Sequence, residues 1–336
     1  MKLRRFGSSD LMVSEIGFGG SRLGGLLASG TIDSGVATLH AACDAGINFY
    51  DTADMYSQGE GEALLGRAFN GRRNRVVIAS KGGYVLPARR RLLAQVKPLL
   101  RPVVQFLGIK RKHLPVGASG ALTQNFSPAY LTRAVEASLQ RLRTDYLDVY
   151  QLHSPPSAVF ESNILLDALE TLESMQRAGK VRYIGVAADT LDDAEGCASR
   201  RAFHTLQVPV GLVDPDTRAL MPAWQERGIG VIARGAFGGG ILKESLTETE
   251  LRALTPKCDW ILELRQLAKQ GGRSVLELAL QFSLRDASVG VTLLGMHTVD
   301  HVRKNVRYCD AAPLSDDEYA ACVQLAARLA GPSAPV

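Results

Sequence analysis

At 336 residues, with 46% hydrophobic and 22% charged residues, the chain holds enough nonpolar material for a sizeable core, which excludes a disordered polypeptide except at its ends. A formal net charge of +5 suits anionic ligands such as phosphates without calling for nucleic acid as a partner. The five cysteines, Cys43, Cys197, Cys258, Cys309 and Cys322, are odd in number and lack CxxC spacing, which argues against a disulfide framework and a zinc site.

The opening MKLRRFGSSDLMVSEIGFGG has basic residues but no continuous apolar run and no small-residue cleavage site. A cytoplasmic protein without a transmembrane segment is therefore expected. Short apolar runs follow in order: SEIGFGG, GINFYDT, RVVIASK, DYLDVYQLH, KVRYIGVA, HTLQVPV, GIGVIARG and VGVTLLGM. Continuous apolar strands signal a parallel sheet covered on both faces, because a strand wet on one side would alternate polar and apolar residues. Longer amphipathic stretches lie between them. In SPAYLTRAVEASLQRLRT, Ser127 suits the N-cap and Pro128 the first turn, while Leu131, Val135, Ser138, Leu139 and Leu142 share a face. In ESNILLDALETLESMQRAGKVRYIG, Leu165, Leu169, Leu172 and Met175 form one stripe, and Gly179 caps the end. Strand and helix alternating through eight units predict an α/β fold closed as a (β/α)8 TIM barrel, one domain over residues 1–336.

Catalytic groups of such barrels sit at the C-terminal ends of the strands. Four polar residues obey that rule: Asp51 after GINFY, Lys81 after VVIAS, His153 after YLDVYQL and Arg234 after GVIA. Each alone also fits a structural ion pair or a satisfied half-buried side chain. Tyr56 stands in a polar MYSQGEGE loop, where a core tyrosine would be unusual.

The chain resembles the aldo-keto reductase superfamily from about residue 1 to 310. FYDTADMY followed by GEGEALLG, the lysine of VVIASKGG, the LDVYQLH strand and the late GMHTVDHVRKN segment carry the resemblance. It implies that Asp51, Tyr56, Lys81 and His153 form the family's catalytic tetrad. Carbonyl reduction needs hydride at carbon and a proton at oxygen, and a neighbouring ammonium makes a phenol a better acid. In that scheme Lys81 supplies the cation, Asp51 holds it in place and His153 orients the carbonyl oxygen.

No GxGxxG follows the first strand, so the usual dinucleotide fingerprint is missing. The resemblance instead implies a nicotinamide dinucleotide across the barrel mouth, NADP(H) ahead of NAD(H). It assigns Gly20, Ser21, Asp51, Gln207, Arg234, Gly235, Gly238, Gly239, Gly295, His297, His301 and Asn305 to cofactor binding. Two departures stand out. Ala187 and Ala188 replace a polar pair after the fifth strand, and Gly295 and His301 fall where members preferring a 2′-phosphate often carry Lys and Arg.

After the third strand an insertion, 84–125, carries eight Lys or Arg and no Asp or Glu, more than the whole net charge. Emerging on the active-site face, it is expected to form a lid or wall of the substrate pocket; contact with a membrane surface or an anionic partner and a disordered basic loop are the alternatives. The functional expectation is an NAD(P)H-dependent oxidoreductase that reduces an aldehyde or ketone, or runs the reverse oxidation, with a small-molecule substrate and no metal. The alternative is a dinucleotide-binding regulatory or redox-sensing subunit with little turnover. Oligomeric state is not legible. The tail after Pro313, DDEYAACVQLAARLA, reads as a helix packed either outside the barrel or over its mouth.

Overall fold

The computed structural model describes residues 1–23, 31–85, 123–160, 162–200 and 203–329. Eight parallel strands close into a barrel: β1 (Ile16–Gly19), β2 (Phe49–Asp51), β3 (Val77–Gly82), β4 (Leu147–His153), β5 (Val181–Ala187), β6 (Thr205–Pro209), β7 (Gly230–Arg234) and β8 (Val289–Gly295). Each pairs with its neighbours in sequence, and β8 pairs with β1 to complete the ring. The eight apolar runs thus all become strands, and the TIM-barrel expectation holds.

Alternation along the strands divides the core in two. Phe49, Val77, Ala79, Val149, Ile232, Val291 and Leu293 point into the barrel, where they meet Phe6, Leu11 and Val13 of an N-terminal hairpin (Leu3–Arg5 with Met12–Ser14) that plugs the lower end. Ile16, Phe18, Tyr50, Ile78, Tyr150, Ile184 and Leu206 point outward and pack against the helices. Two residues beyond the inner apolar layer the same face turns polar: Asp51 follows Phe49, Lys81 follows Ala79, Gln151 and His153 follow Val149, and Arg234 follows Ile232. Side chains two apart share a face of a strand, so the rim of polar groups follows from the register that buries the plug.

The two anticipated helices form as Pro128–Leu142 and Asn163–Arg177, each with the expected stripe buried except the half-buried Met175. The second is capped by Ala178, and Gly179 takes the left-handed conformation one residue later, φ +74°. The tail forms the helix Asp316–Ala327 on the outside of the barrel. It packs on the helix Cys258–Gln270, and Trp260 Nε1 donates to the Leu325 carbonyl at 2.8 Å. The central part of the insertion, 86–122, falls outside the described residues. Its two ends pair as antiparallel strands, Tyr84–Val85 with Thr123–Gln124. Among the described residues no helix is long and apolar enough to cross a membrane.

Gly66 lets the helix Glu60–Ala68 approach the end of Pro128–Leu142 closely: a Cβ there would lie 2.5 Å from the Arg141 carbonyl oxygen and 2.7 Å from that of Leu142. Backbone cannot yield as a side-chain tip does. Gly66→Ala is therefore expected to lower unfolding free energy by about 1–3 kcal/mol through overpacking, read as a fall in thermal midpoint.

Candidate active site

Adjacent strands β2 and β3 set Asp51 level with Ala79, so Lys81 projects one inward step above it. Lys81 Nζ donates to Asp51 Oδ2 at 2.7 Å, to the Thr52 carbonyl at 2.9 Å and to Tyr56 Oη at 3.4 Å. Burial works against the ammonium, but Asp51 and Tyr56 outweigh it and hold Lys81 above its ordinary value. Asp51 is also approached by Gln151 Nε2 at 3.5 Å and by the Gln207 side chain.

Tyr56 arrives from the loop after β2. Beyond it Ser57 (φ +50°) and Gln58 (φ +66°) take left-handed conformations unfavourable to side-chain-bearing residues, and Gly59 (φ +87°) hands the chain to the helix Glu60–Ala68. That turn leaves the phenol half-buried above Lys81.

His153 closes β4. Its ring meets Tyr56 edge-on at 5.8 Å between centroids and Tyr84 at 4.9 Å. Burial, with Lys81 and Arg234 adding to it, pushes the imidazole down to about 3, so it is neutral at physiological pH. The returning strand of the insertion is tied to the same place, because Gln124 Nε2 donates to the carbonyls of His153 and Ser154 at 3.0 and 2.7 Å.

Asp51 and Tyr56 open onto a cavity of about 670 Å³ at the C-terminal ends of the strands. Of the residues assigned to a cofactor, Ser21, Gln207, Arg234, Gly235, Gly239, Gly295, His297, His301 and Asn305 line it as well. Gly20 and Gly238 do not. The Gly20 N–H donates to the Asp51 carbonyl at 2.8 Å, and a Cβ on Gly238 would meet Ile241 and Val213. Four buried polar atoms on the cavity's lining residues lack a hydrogen-bond partner among the described residues: Gln207 Oε1, His297 Nδ1, His301 Nδ1 and Asn305 Nδ2. Buried polar groups are rarely left unsatisfied, so their chemistry fits a polar, hydrogen-bonding ligand such as a dinucleotide. Burial, His301, Arg22 and Lys243 depress His297, which marks a local concentration of positive charge.

Arg234 is paired as well as cavity-lining. Its guanidinium donates to the Ala188 carbonyl at 3.0 Å and to Asp189 Oδ1 at 2.7 Å. Neither motif nor resemblance had singled out Gln151, Tyr84 or Gln124. Gln151 was detectable, since it lies two residues before His153 on the same strand face. Tyr84 and Gln124 meet His153 only through tertiary contact.

Fold and cavity together define an α/β-barrel enzyme. The chain belongs to the Aldo/keto reductase family, whose sequence profile matches residues 15–327, and it is an NAD(P)-dependent oxidoreductase. It is 27% identical to L-galactose dehydrogenase of Arabidopsis thaliana (91% of this chain, 87% of that one) and 25% identical to NADH-specific methylglyoxal reductase of Escherichia coli strain K12 (91% and 93%). The holo form of aldo-keto reductase AKR11C1 from Bacillus halodurans superposes with TM-score 0.79 at 27% identity, covering 99% of this chain and 98% of that one. An aldo/keto reductase from Klebsiella pneumoniae in complex with NADP and acetate gives 0.68 at 26%, covering 99% and 97%.

His153 has a sharp consequence for stability. It binds a proton near pH 6.5 when unfolded and only near 3 when folded, so the unfolded state holds more protons between those values. Stability is intact above pH 6.5 and falls progressively as the pH drops toward 3. His153→Gln should flatten that acid limb in a series of thermal melts at stepped pH.

Proposed function

We propose that this protein reduces a small aldehyde or ketone to an alcohol, or runs the reverse oxidation of an alcohol or sugar lactol, with Tyr56 as the proton donor. One observation carries the reading: a buried ammonium, Lys81 Nζ, contacts both Asp51 Oδ2 and Tyr56 Oη. Negative charge developing on the phenol oxygen as it gives up its proton is stabilised by that ammonium, which Asp51 keeps charged and aimed. The neutral imidazole of His153 supplies hydrogen bonding to the carbonyl oxygen without competing as a strong acid. Gln207, Asn305, His301 and Ser21 are the groups that would hold the nicotinamide dinucleotide, which supplies hydride to the carbonyl carbon when bound. We further propose NADP(H) over NAD(H), because Arg22, Lys243 and Lys304 join His301 in the lining and offer cations to a 2′-phosphate, with Glu244 the opposing charge.

Tyr56→Phe is expected to cut carbonyl-dependent loss of absorbance at about 340 nm by about 100-fold or more while the dissociation constant for the dinucleotide stays close to wild type. Equal turnover in that variant would remove Tyr56 from the role. His301→Glu should weaken NADPH binding by roughly tenfold and leave NADH binding nearly unchanged, as measured by fluorescence titration. A wild type that binds NADH more tightly than NADPH would overturn the cofactor preference.

A further inference from the structure

Behind the Tyr56 loop lies a half-buried carboxyl, Asp54, that the reduction does not use. Asp54 stands two residues before Tyr56, and its N–H donates to the Lys81 carbonyl at 3.1 Å. Its Oδ1 is buried without a hydrogen-bond partner among the described residues. Its Oδ2 lies 3.3 Å from Tyr130 Oη, which is also 2.8 Å from the Tyr84 carbonyl. The Tyr130 hydroxyl has one proton to donate and two acceptors in reach. The shorter contact gives it to Tyr84. A proton on Asp54, donated to Tyr130 Oη, then completes the chain of hydrogen bonds.

The surroundings favour that proton. Glu62, fully buried, faces Asp54 with like charge and is itself held by Ser80 Oγ and Arg141 Nε, each at 2.6 Å. Arg141 is the opposing cation, and Tyr150 from β4 brings only a buried hydroxyl without a hydrogen-bond partner among the described residues. Burial and Glu62 push the Asp54 carboxyl up to about 7, against Arg141, Tyr130 and the Met55 N–H.

Tyr84 opens the paired strands at the ends of the insertion, and its ring packs edge-on against His153 at 4.9 Å. We propose that Asp54 is a positioning residue: its neutral carboxyl leaves the Tyr130 proton on the Tyr84 carbonyl and so helps hold the Tyr84 ring against His153, and its ionisation draws that proton away and loosens the contact. The proposal rests on the reductase reading for its kinetic consequence, but its hydrogen-bond switch is measurable without turnover.

The first test is the pH dependence of carbonyl reduction. In the wild type, kcat/KM for the carbonyl should step down by about 2- to 10-fold as pH rises through about 7, the fold-change one hydrogen bond supports, with the change in KM and none in NADPH affinity. Asp54→Asn, whose amide donates to Tyr130 Oη at every pH, should lack the step. Tyr130→Phe should lack it too while the carboxyl still titrates. The second test follows that carboxyl by its infrared C=O band and the His153 ring by its NMR resonance. Both should move together near neutral pH in the wild type, and the His153 resonance should stop following in Tyr130→Phe. Absence of any dinucleotide oxidation would defeat the reductase reading alone, since the spectroscopic coupling would persist. A kinetic step surviving in Asp54→Asn, or a His153 resonance blind to pH near neutrality, would overturn the switch.

Discussion

The arrangement at the barrel mouth depends on one buried ion pair. Lys81 and Asp51 are both essentially removed from water, 1% and 3% exposed, and neither is tolerable there without the other. An isolated charge in such a place costs several kcal/mol, so the pair constrains everything that must surround it. It requires β2 and β3 to be neighbours in fixed register, the Thr52 carbonyl to point inward, and Gln151 and Gln207 to supply the remaining hydrogen bonds to the carboxylate. Tyr56 completes the ammonium's shell, which is why three consecutive left-handed residues are accepted just after it.

Charge organisation radiates from that pair. Burial, with Lys81 and Arg234 adding to it, keeps His153 uncharged, and Arg234 is itself paired with Asp189. Positive groups gather again around His297 and His301, suited to an anionic ligand. Behind the Tyr56 loop the sign reverses, with Asp54 and Glu62 sharing Arg141 as their facing cation. Tyr56 and Asp54, on these two sides, are only two residues apart along the chain. A site assembled from one loop therefore carries electrostatic demands on both of its sides.

Much of this was legible in the residues. The eight apolar runs, the alternation with amphipathic stretches and the polar residues ending the runs were sufficient for a parallel barrel and for the positions of Asp51, Lys81 and His153. Burial drives those patterns, and burial is written locally: a strand buried on both faces must be apolar throughout until the point where it reaches the cavity. The period of two along each strand also encoded Gln151 beside His153.

What only tertiary structure decided was the company each residue keeps. The contacts of Tyr84 and Gln124 with His153, of Asp54 with Tyr130, and of Arg234 with Ala188 and Asp189 join residues separated by 29 to 76 positions. The close approaches at Gly20 and Gly238, where a Cβ would meet the Asp51 carbonyl oxygen and the Val213 side chain, are likewise set by segments apart in the chain. The physical reason is the same throughout. Composition and periodicity record whether a side chain faces water or core, whereas a hydrogen-bond partner, a shifted ionisation or a steric limit is set by atoms that distant segments deliver.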